Sequence, residues 1–422
     1  MPEGQAERTR AQIDAIWRIE SARVIATVAR MVRDVGLAED LAQDAVVVAL
    51  ERWPSTGVPP NPGAWLTATA KHRAIDLMRR GTTLQDRYAQ IARDLGVASE
   101  APDLDAELDD DIGDDLLSLV FTCCHPVLPM EARVALTLRM LGALKTPEIA
   151  RAFLVSDATV GQRISRAKRT LADAAVPFEV PSGDALQPRL ASVLEVVYLI
   201  FNEGYAATAG DDWMRPALIE EALRLGRILA GLAPDEPEVH GLVALMEIQA
   251  SRQAARTGPS GEPILLTDQD RVRWDRLLIR RGLVALERAE TCGRAVGPYY
   301  LQAAIASCHA RARTPEETDW VRIAALYEAL ARVADSPVVE LNRAVAVGMA
   351  FGAEVGLQSV DALAADGALD DYHLLRSVRG DLLAKLGRWA EARADFERAA
   401  SMTRNDRERD LLLARAAECA RG

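Results

Sequence analysis

The sequence predicts an all-α protein with two small helical domains followed by a long helical extension. Of its 422 residues, 49% are hydrophobic and only 5% are aromatic, a composition rich in Ala, Leu and Arg that favours helices over sheets. Apolar residues recur at helical spacing, and capping residues precede several of these segments. No apolar run is long enough to span a bilayer and the N-terminus has no signal-peptide core, so we expect a cytoplasmic protein.

The first domain, over residues 12–82, is predicted to contain three helices. The first helix covers residues 11–35, and the second begins after Gly36. Asn61 caps the third helix, with Pro62 in its first turn. Around the second helix, apolar positions alternate with polar ones: Leu41, Ala45 and Val48 against Glu39, Asp40, Gln43 and Asp44.

An acidic linker with at most one short helix is predicted over residues 83–112. The stretch from Glu100 to Asp115, which runs from this linker into the next domain, carries nine carboxylates and no Lys or Arg, a large part of the formal net charge of −12. Such a segment is either a solvated tether or a mimic of a polyanion. Because the acid is concentrated here, a local positive face elsewhere in the chain remains compatible with DNA binding.

Residues 113–175 are predicted to hold a helix-turn-helix. Thr146 caps a short helix with Pro147 in its first position, the chain breaks at Leu154, and Ser156 caps a second helix. On the second helix one stripe is apolar, formed by Val160, Ile164, Ala167 and Leu171. The opposite arc is formed by Thr159, Gln162, Arg163, Arg166 and Arg169. An amphipathic surface helix looks similar, but the paired caps and short break favour a reader of the major groove.

The extension, over residues 186–422, is predicted to be a helical solenoid. Its last hairpin has the spacing of small and aromatic residues that lets two antiparallel helices pack closely, at Gly380, Gly387, Ala392, Phe396 and Ala399. Isolated repeats of this kind need neighbours to bury their apolar faces, so we expect the helices to stack in order along the chain.

Three segments in order resemble an extracytoplasmic-function (ECF) sigma factor of the sigma-70 family. AEDLAQDAVVVALERW is similar to the region 2.2 helix that binds core RNA polymerase, and AWLTATAKHRAIDLMRR to regions 2.3 and 2.4, which capture the melted −10 element. LPMEARVALTLRMLGALKTPEIARAFLVSDATVGQRISRAKRTL is similar to region 4, which reads the −35 element. One departure is His72, where the family usually has Asn.

The rest of the chain resembles the sigma-factor subgroup with a C-terminal extension containing tetratricopeptide (TPR) repeats. The matching segments are FTCCHP, YLIFNEGY, DQDRVRWD, GPYYLQAAIA and SPVVELNRAVAV. This resemblance implies a promoter-specificity subunit that is regulated by its own extension, with core polymerase supplying all chemistry.

The resemblance implies three sets of binding residues. For core polymerase they are Glu39, Asp40, Leu41, Gln43 and Asp44. For the −10 single strand they are Trp65, Lys71, His72, Arg73, Arg79 and Arg80, with ordinary core packing as an alternative role for Trp65. For the −35 duplex they are Ser156, Thr159, Gln162, Arg163, Arg166, Lys168 and Arg169.

The expected partners are core RNA polymerase, promoter DNA and a signalling partner of the extension. No catalytic cluster stands out, so we expect neither an enzyme nor a cofactor. Cys123, Cys124 and His125 lack the spacing of a zinc site, and we expect no metal and free thiols. Two alternatives are a one-component transcriptional regulator, with a helix-turn-helix governed by a helical sensor, and a TPR enzyme or scaffold.

Overall fold

The computed structural model describes residues 2–94, 112–206, 214–259 and 262–421, with the backbone alone at 2–7, 80–94 and 112–113. Within these ranges the chain forms eighteen α-helices, and the only β-structure is one isolated bridge between Thr257 and Pro263. The all-α prediction is confirmed. The chain divides into two compact units, Met1–Val196 and Val197–Gly422.

The first domain has the three predicted helices, α1 (Pro2–Val32), α2 (Val35–Thr56) and α3 (Pro62–Asp94). The break between α1 and α2 differs from the prediction. Arg33 takes a left-handed conformation (φ 53°) that ends α1, and the Asp34 carboxylate caps α2 by accepting a hydrogen bond from the Leu37 amide at 2.9 Å. The second helix therefore begins before Gly36.

The start of α3 agrees with the sequence, but its end does not. The Asn61 side chain accepts a hydrogen bond from the Ala64 amide at 3.1 Å, which is the predicted cap. The helix then continues to Asp94, twelve residues past the predicted domain end at 82. The remainder of the predicted linker, residues 95–111, lies outside the described residues. The core of this domain includes the buried side chains of Ile25, Trp53 and Leu66.

The second domain contains α4 (Ile112–Cys123), α5 (Met130–Met140), α6 (Thr146–Ala152) and α7 (Asp157–Asp173). Thr146 was predicted as the N-cap of α6, but in the structure Thr146 is already the first helical residue. Lys145 occupies the cap position, and its amide donates to the Glu148 carboxylate at 2.7 Å. Glu148 therefore satisfies the backbone donor of the cap residue itself, as in a capping box.

Helix α8 (Leu186–Tyr205) contains the boundary between the two units. Ten further helices follow it: α9 (Pro216–Leu232), α10 (Pro237–Ala250), α11 (Arg276–Thr291), α12 (Pro298–Arg311), α13 (Trp320–Val333), α14 (Pro337–Phe351), α15 (Ala353–Asp366), α16 (His373–Lys385), α17 (Trp389–Met402) and α18 (Asp406–Cys419). From α9 onward each helix packs against the next along the chain. This sequential order agrees with the predicted solenoid.

Close helix contacts in the extension occur where glycine is present. A Cβ added to Gly380 in α16 would lie 3.0 Å from the Phe396 ring and 3.2 Å from the Ala392 carbonyl oxygen of α17. A Cβ added to Gly356 in α15 would lie 2.7 Å from the Gly348 Cα of α14. The hairpin contact predicted at Gly380 is thus present, and a closer one exists one hairpin earlier.

Candidate nucleic-acid and polymerase interfaces

Helix α7 has the two faces that the sequence predicts. Val160, Ile164, Ala167 and Leu171 are buried, and the Ser156 hydroxyl caps the helix by accepting from the Thr159 amide at 3.1 Å. On the other side Gln162, Arg166 and Arg169 are exposed, while Thr159 and Arg163 are half-buried. Among the described residues, no carboxylate lies within ion-pair distance of Arg163, Arg166 or Arg169. These guanidinium groups are placed to contact phosphates and base edges.

The turn that aims α7 depends on Leu154. Its backbone is left-handed (φ 51°), although it is not glycine and its side chain is largely exposed. Left-handed backbone costs a non-glycine residue roughly 1–2 kcal/mol. The Val155 amide donates to the Ala150 carbonyl at 3.1 Å, which closes the end of α6. The break predicted at Leu154 is therefore confirmed.

The polymerase-binding residues predicted on α2 do not share one surface. Asp40 and Asp44 are exposed and Gln43 is half-buried. Leu41 is only 8% exposed, so its side chain is not available on the surface of α2 in this structure. The exposed apolar side chains of α2 are instead Val47 and Leu50, which are 51% and 40% exposed. Sequence periodicity missed them because it assigns apolar residues to the interior.

Glu39 is buried, with 3% of its surface exposed, by two side chains of the helix-turn-helix domain. Its Oε1 accepts hydrogen bonds from Arg139 Nε and Gln43 Nε2, each at 2.6 Å. Its Oε2 lies 2.6 Å from Lys168 Nζ, which is also 3.6 Å from Asp40. Burial raises the pKa of Glu39, but the charges and hydrogen bonds of Lys168 and Arg139 outweigh it and the pKa is lowered. Lys168, predicted to contact DNA phosphate, is engaged here.

Three further ion pairs join the first domain to the helix-turn-helix domain. Arg30 lies 3.4 Å from the buried Asp115. Two exposed pairs lie near α6: Arg18 with Glu148 at 2.8 Å, and Lys145 with Asp14 at 3.2 Å. Charged groups of opposite sign therefore meet at several points of this contact.

The residues predicted for the −10 strand lie along α3 in different environments. His72 and Arg79 are exposed and Lys71 is half-buried, while the side chain of Arg80 lies outside the described part of the chain. Arg73 pairs with Asp44 of α2 at 2.7 Å.

Trp65 is half-buried and packs edge to face on Trp53, with ring centroids 5.2 Å apart. Packing on Trp53 thus buries part of the Trp65 ring. The structure brings a predicted −10 residue, Arg73, into contact with a predicted polymerase residue, Asp44.

Cys123 and Cys124, at the end of α4, are buried free thiols. Burial raises the pKa of Cys124 to about 11, against the opposing effects of Thr137 and the nearby guanidinium groups. A thiol with so high a pKa is protonated and unreactive at neutral pH. Both cysteines therefore serve packing in this domain.

Comparison with known families identifies both domains. Residues 17–83 match the model described as "Sigma-70 region 2", and residues 118–171 match "Sigma-70, region 4". The chain belongs to the sigma-70 family. It is an RNA polymerase sigma factor whose regions 2 and 4 indicate binding to core polymerase and promoter DNA. The alternative of a one-component regulator is dropped, because a regulator of that kind has no use for region 2.

The matches to the extension and to the full chain carry no functional description. Residues 189–290 match a "Family of unknown function (DUF6596)". The chain is 44% identical over 384 residues to "Uncharacterized protein R00370" of Rhizobium meliloti (strain 1021), covering 90% of this chain and 89% of that protein. No solved structure matches the chain. Among the described residues, no helix combines the length and apolar character needed to cross a membrane.

Proposed function

We propose that this sigma factor reads the −35 duplex with α7, captures the −10 single strand along α3 and grips core polymerase with the exposed face of α2. The observation that carries the proposal is the arrangement of α7. Gln162, Arg166 and Arg169 are exposed opposite a buried apolar stripe, on a helix fixed by the Ser156 cap. An amide and guanidinium groups on the exposed face of a helix-turn-helix fit base edges and phosphates.

The test is promoter-specific transcription by core polymerase with purified sigma factor. Arg163→Ala and Arg166→Ala should each weaken promoter binding by about 1–3 kcal/mol, the loss expected when a guanidinium makes two hydrogen bonds to one base. Arg332→Ala in the extension removes an exposed guanidinium far along the chain from α7 and serves as the matched control. Survival of promoter-specific initiation in the Arg163/Arg166 double variant would contradict the −35 assignment.

For polymerase binding, the structure supports a surface that differs from the sequence prediction. Asp40, Asp44, Val47 and Leu50 are all exposed on α2, which combines carboxylates with apolar side chains. Interfaces commonly place an apolar centre beside charged groups. The double variant Val47→Ser and Leu50→Ser should weaken co-purification with core polymerase, whereas Leu41→Ala should chiefly destabilise region 2.

For the −10 strand, the exposed His72 and Arg79 and the half-buried Lys71 favour contact with the nucleic-acid backbone and an unstacked base. Arg73 is a weaker candidate because Asp44 already holds it. His72→Ala and Arg79→Ala should reduce open-complex formation while leaving binding to the −35 element intact.

The second part of the proposal is that the extension regulates the sigma domains and has a signalling partner, as the TPR-like hairpins imply. Helix α8 supports this idea because the boundary between the two units falls within it. Its first half is tied to α4. Arg189 donates to the Phe121 carbonyl at 2.8 Å, and Ser192 donates to the Cys124 carbonyl at 2.6 Å. The end of α4 in region 4 therefore depends on a helix that continues into the extension.

Two truncations separate the roles of α8 and the extension. Ending the chain after Pro181 removes Arg189 and Ser192, whereas ending it after Tyr205 keeps α8. A regulatory extension predicts that both truncations change transcription in cells, with loss of activity expected from the subgroup resemblance. A change after the Pro181 truncation alone would mean that α8 acts as a support for region 4. Unchanged output and signal response in both would make the extension a passenger.

A further inference from the structure

Three arginines and two aromatic rings contact one another in alternation inside the extension. Arg256 lies over the Tyr205 ring, with its guanidinium carbon 3.6 Å from the ring centroid. Arg252 lies between Tyr205 and Trp274, 5.7 Å and 5.9 Å from their centroids. Arg271 lies 5.1 Å from the centroid of Trp274. Such cation–π contacts hold a guanidinium group in place without a carboxylate. We call these five side chains the arginine cluster.

The arginine cluster joins segments that are far apart in the sequence. Tyr205 ends the segment YLIFNEGY in α8, and Trp274 lies in the segment DQDRVRWD just before α11. The Asp275 amide donates to the Ser251 carbonyl at 2.8 Å, which ties the second segment to the end of α10. The cluster therefore exists only in the folded extension, and its side chains have no part in the proposed polymerase or promoter contacts.

The two outer arginines have hydrogen-bond acceptors, but the central one does not. Arg256 donates to the Tyr205 carbonyl, and Arg271 Nη1 donates to the His309 carbonyl at 2.9 Å. Arg252 is half-buried, and its Nε is fully buried. Within the described part of the chain, its guanidinium has neither a hydrogen-bond acceptor nor a carboxylate partner. Arg252 therefore keeps its hydrogen-bonding capacity for a ligand.

Positive charge is compensated at one edge of the cluster and not at its centre. Burial lowers the pKa of Arg256, and the charge of Arg252 lowers it further against an opposing effect of the neighbouring tyrosine. Burial also lowers the pKa of Arg271, where Glu316 and Glu317 oppose the shift and Arg252 adds to it. All three guanidinium groups stay charged at neutral pH, since arginine is not deprotonated in proteins. Three like charges at close range favour an anion beside Arg252.

Two tyrosine hydroxyls add neutral donors near the centre of the cluster. Burial raises the pKa of Tyr327 to about 12, an effect that Tyr198 increases and Arg252 opposes. Burial raises the pKa of Tyr198 as well. Both hydroxyls are therefore protonated at neutral pH, and both side chains are only half-buried. A guanidinium beside hydroxyl donors matches the oxygen atoms of a phosphate or a carboxylate.

We propose that the arginine cluster is a binding site for a small oxyanion, a phosphate or a carboxylate, held by the Arg252 guanidinium and the Tyr327 hydroxyl. The anion would supply the acceptor that Arg252 lacks among the described residues, and it would offset the charge of three neighbouring guanidinium groups. This site lies entirely within the extension. It is independent of the proposed roles of α2, α3 and α7, so it can be tested without polymerase or DNA.

Calorimetric titration of the full chain with inorganic phosphate or with acetate, at constant ionic strength set by sodium chloride, tests the proposal. We expect saturable binding of at least one of the two anions with a Kd of about 1 mM, which a few charge-assisted hydrogen bonds can supply. Comparison of the two titrations distinguishes a phosphate site from a carboxylate site. Absence of saturable binding for both anions would overturn the proposal.

Arg252→Gln removes the central charge, and Arg273→Gln is its matched control. Arg273 is an exposed arginine in the same segment as Trp274 and lies outside the cluster. Arg252→Gln should raise the Kd at least about tenfold, the loss expected when hydrogen bonds to a charged group are removed. Arg273→Gln should leave the Kd unchanged. Equal affinity of wild type and Arg252→Gln would show that the anion binds elsewhere, and the proposal would be wrong.

A milder variant covers the case in which Arg252→Gln does not fold. Tyr327→Phe removes one hydroxyl and keeps the ring, so it should raise the Kd by about threefold to tenfold. An unchanged Kd in Tyr327→Phe would contradict the site.

Thermal unfolding separates a bound anion from a general salt effect. At about tenfold above its Kd, the anion should raise the Tm of wild type and of Arg273→Gln, because it binds the folded state alone. It should raise the Tm of Arg252→Gln much less. An equal rise in Tm for Arg252→Gln and wild type would mean a general salt effect, which rules out a specific site at Arg252.

Discussion

The contact between regions 2 and 4 and the helix hairpins of the extension are built from different interactions. Regions 2 and 4 meet through ion pairs, with Glu39 buried between Arg139 and Lys168, and also through packing of α1 against the apolar helix α4. In the α14–α15 hairpin the two backbones meet closely where Gly356 faces Gly348. The next hairpin, α16–α17, adds a buried ion pair between Arg379 and Asp395. Charged groups regain their hydration when they separate, whereas apolar surfaces lose stability on exposure. The Glu39 ion pairs are therefore the part of the region 2–4 contact that salt should weaken, whereas the close glycine contact should resist it.

The largest expected effect is in the hairpin of α14 and α15. Gly356→Ala places a Cβ 2.7 Å from the Gly348 Cα and 3.0 Å from the Ala344 carbonyl oxygen. Because both neighbours are backbone atoms, the helices must separate, and we expect a loss of about 3 kcal/mol in the free energy of unfolding. Urea denaturation followed by circular dichroism measures the change.

Gly231→Ala is the matched control for this prediction. Nothing lies within 4 Å of a Cβ added at Gly231, and the residue is exposed near the end of α9. Alanine there should be neutral or stabilising by up to about 1 kcal/mol. Equal effects of the two substitutions would show that the α14–α15 contact is not a close backbone contact.

The next effect concerns pH and the extension. Burial, together with Arg252 and Arg271, lowers the pKa of His309 to about 4, and the ring packs edge to face on Trp320. In the unfolded chain His titrates near 6.5, so below that pH the unfolded state binds more protons and stability falls. From pH 7 to pH 5 the extension should lose about 2 kcal/mol of unfolding free energy through His309. His309→Gln should flatten this pH dependence, and an unchanged slope would refute the assignment.

Sequence reasoning succeeded where local periodicity decides structure. The stripe of Val160 and Ile164 on α7, the Ser156 cap and the close contact at Gly380 follow from spacing along a single helix or hairpin. It failed at Glu39, which the helical pattern assigned to an exposed polar face. The burial of Glu39 arises from Arg139 and Lys168 of another domain, which local spacing does not encode.

The apolar residues of α2 likewise show where local periodicity decides burial and where tertiary packing does. Leu41 was assigned to contact and is buried, while Val47 and Leu50 were overlooked and are exposed. An apolar stripe predicts which face packs inward, but α2 has apolar residues on more than one face. Which of them are covered depends on α1 and α3, and this is set by tertiary packing rather than by the α2 sequence.

A smaller effect should distinguish the two kinds of contact by ionic strength. Fluorescence energy transfer between two dyes measures the distance between regions 2 and 4. The dyes are attached at Ser55→Cys in α2 and Asp157→Cys in α7, in a Cys292→Ser background. Raising salt from about 0.1 M to 1 M shortens the screening length from about 10 Å to 3 Å, so the ion pairs between the two regions should weaken and the dye distance should grow. The urea midpoint of the extension should not fall over the same range. A dye distance that is insensitive to salt would contradict an ionic contact.

The smallest effect should come from the outer ion pairs of the same contact. Lys145 and Asp14 lie 3.2 Å apart, but both side chains are more than half exposed. Exposed pairs contribute about 0–1 kcal/mol because water and salt screen them. Lys145→Ala should therefore lower the free energy of unfolding by less than about 1 kcal/mol in urea denaturation. Arg139→Ala should lower it more, because the buried Glu39 loses one of its two cations. If the two variants had equal effects, total charge across the contact would decide its stability, and the burial of Glu39 would have no special role.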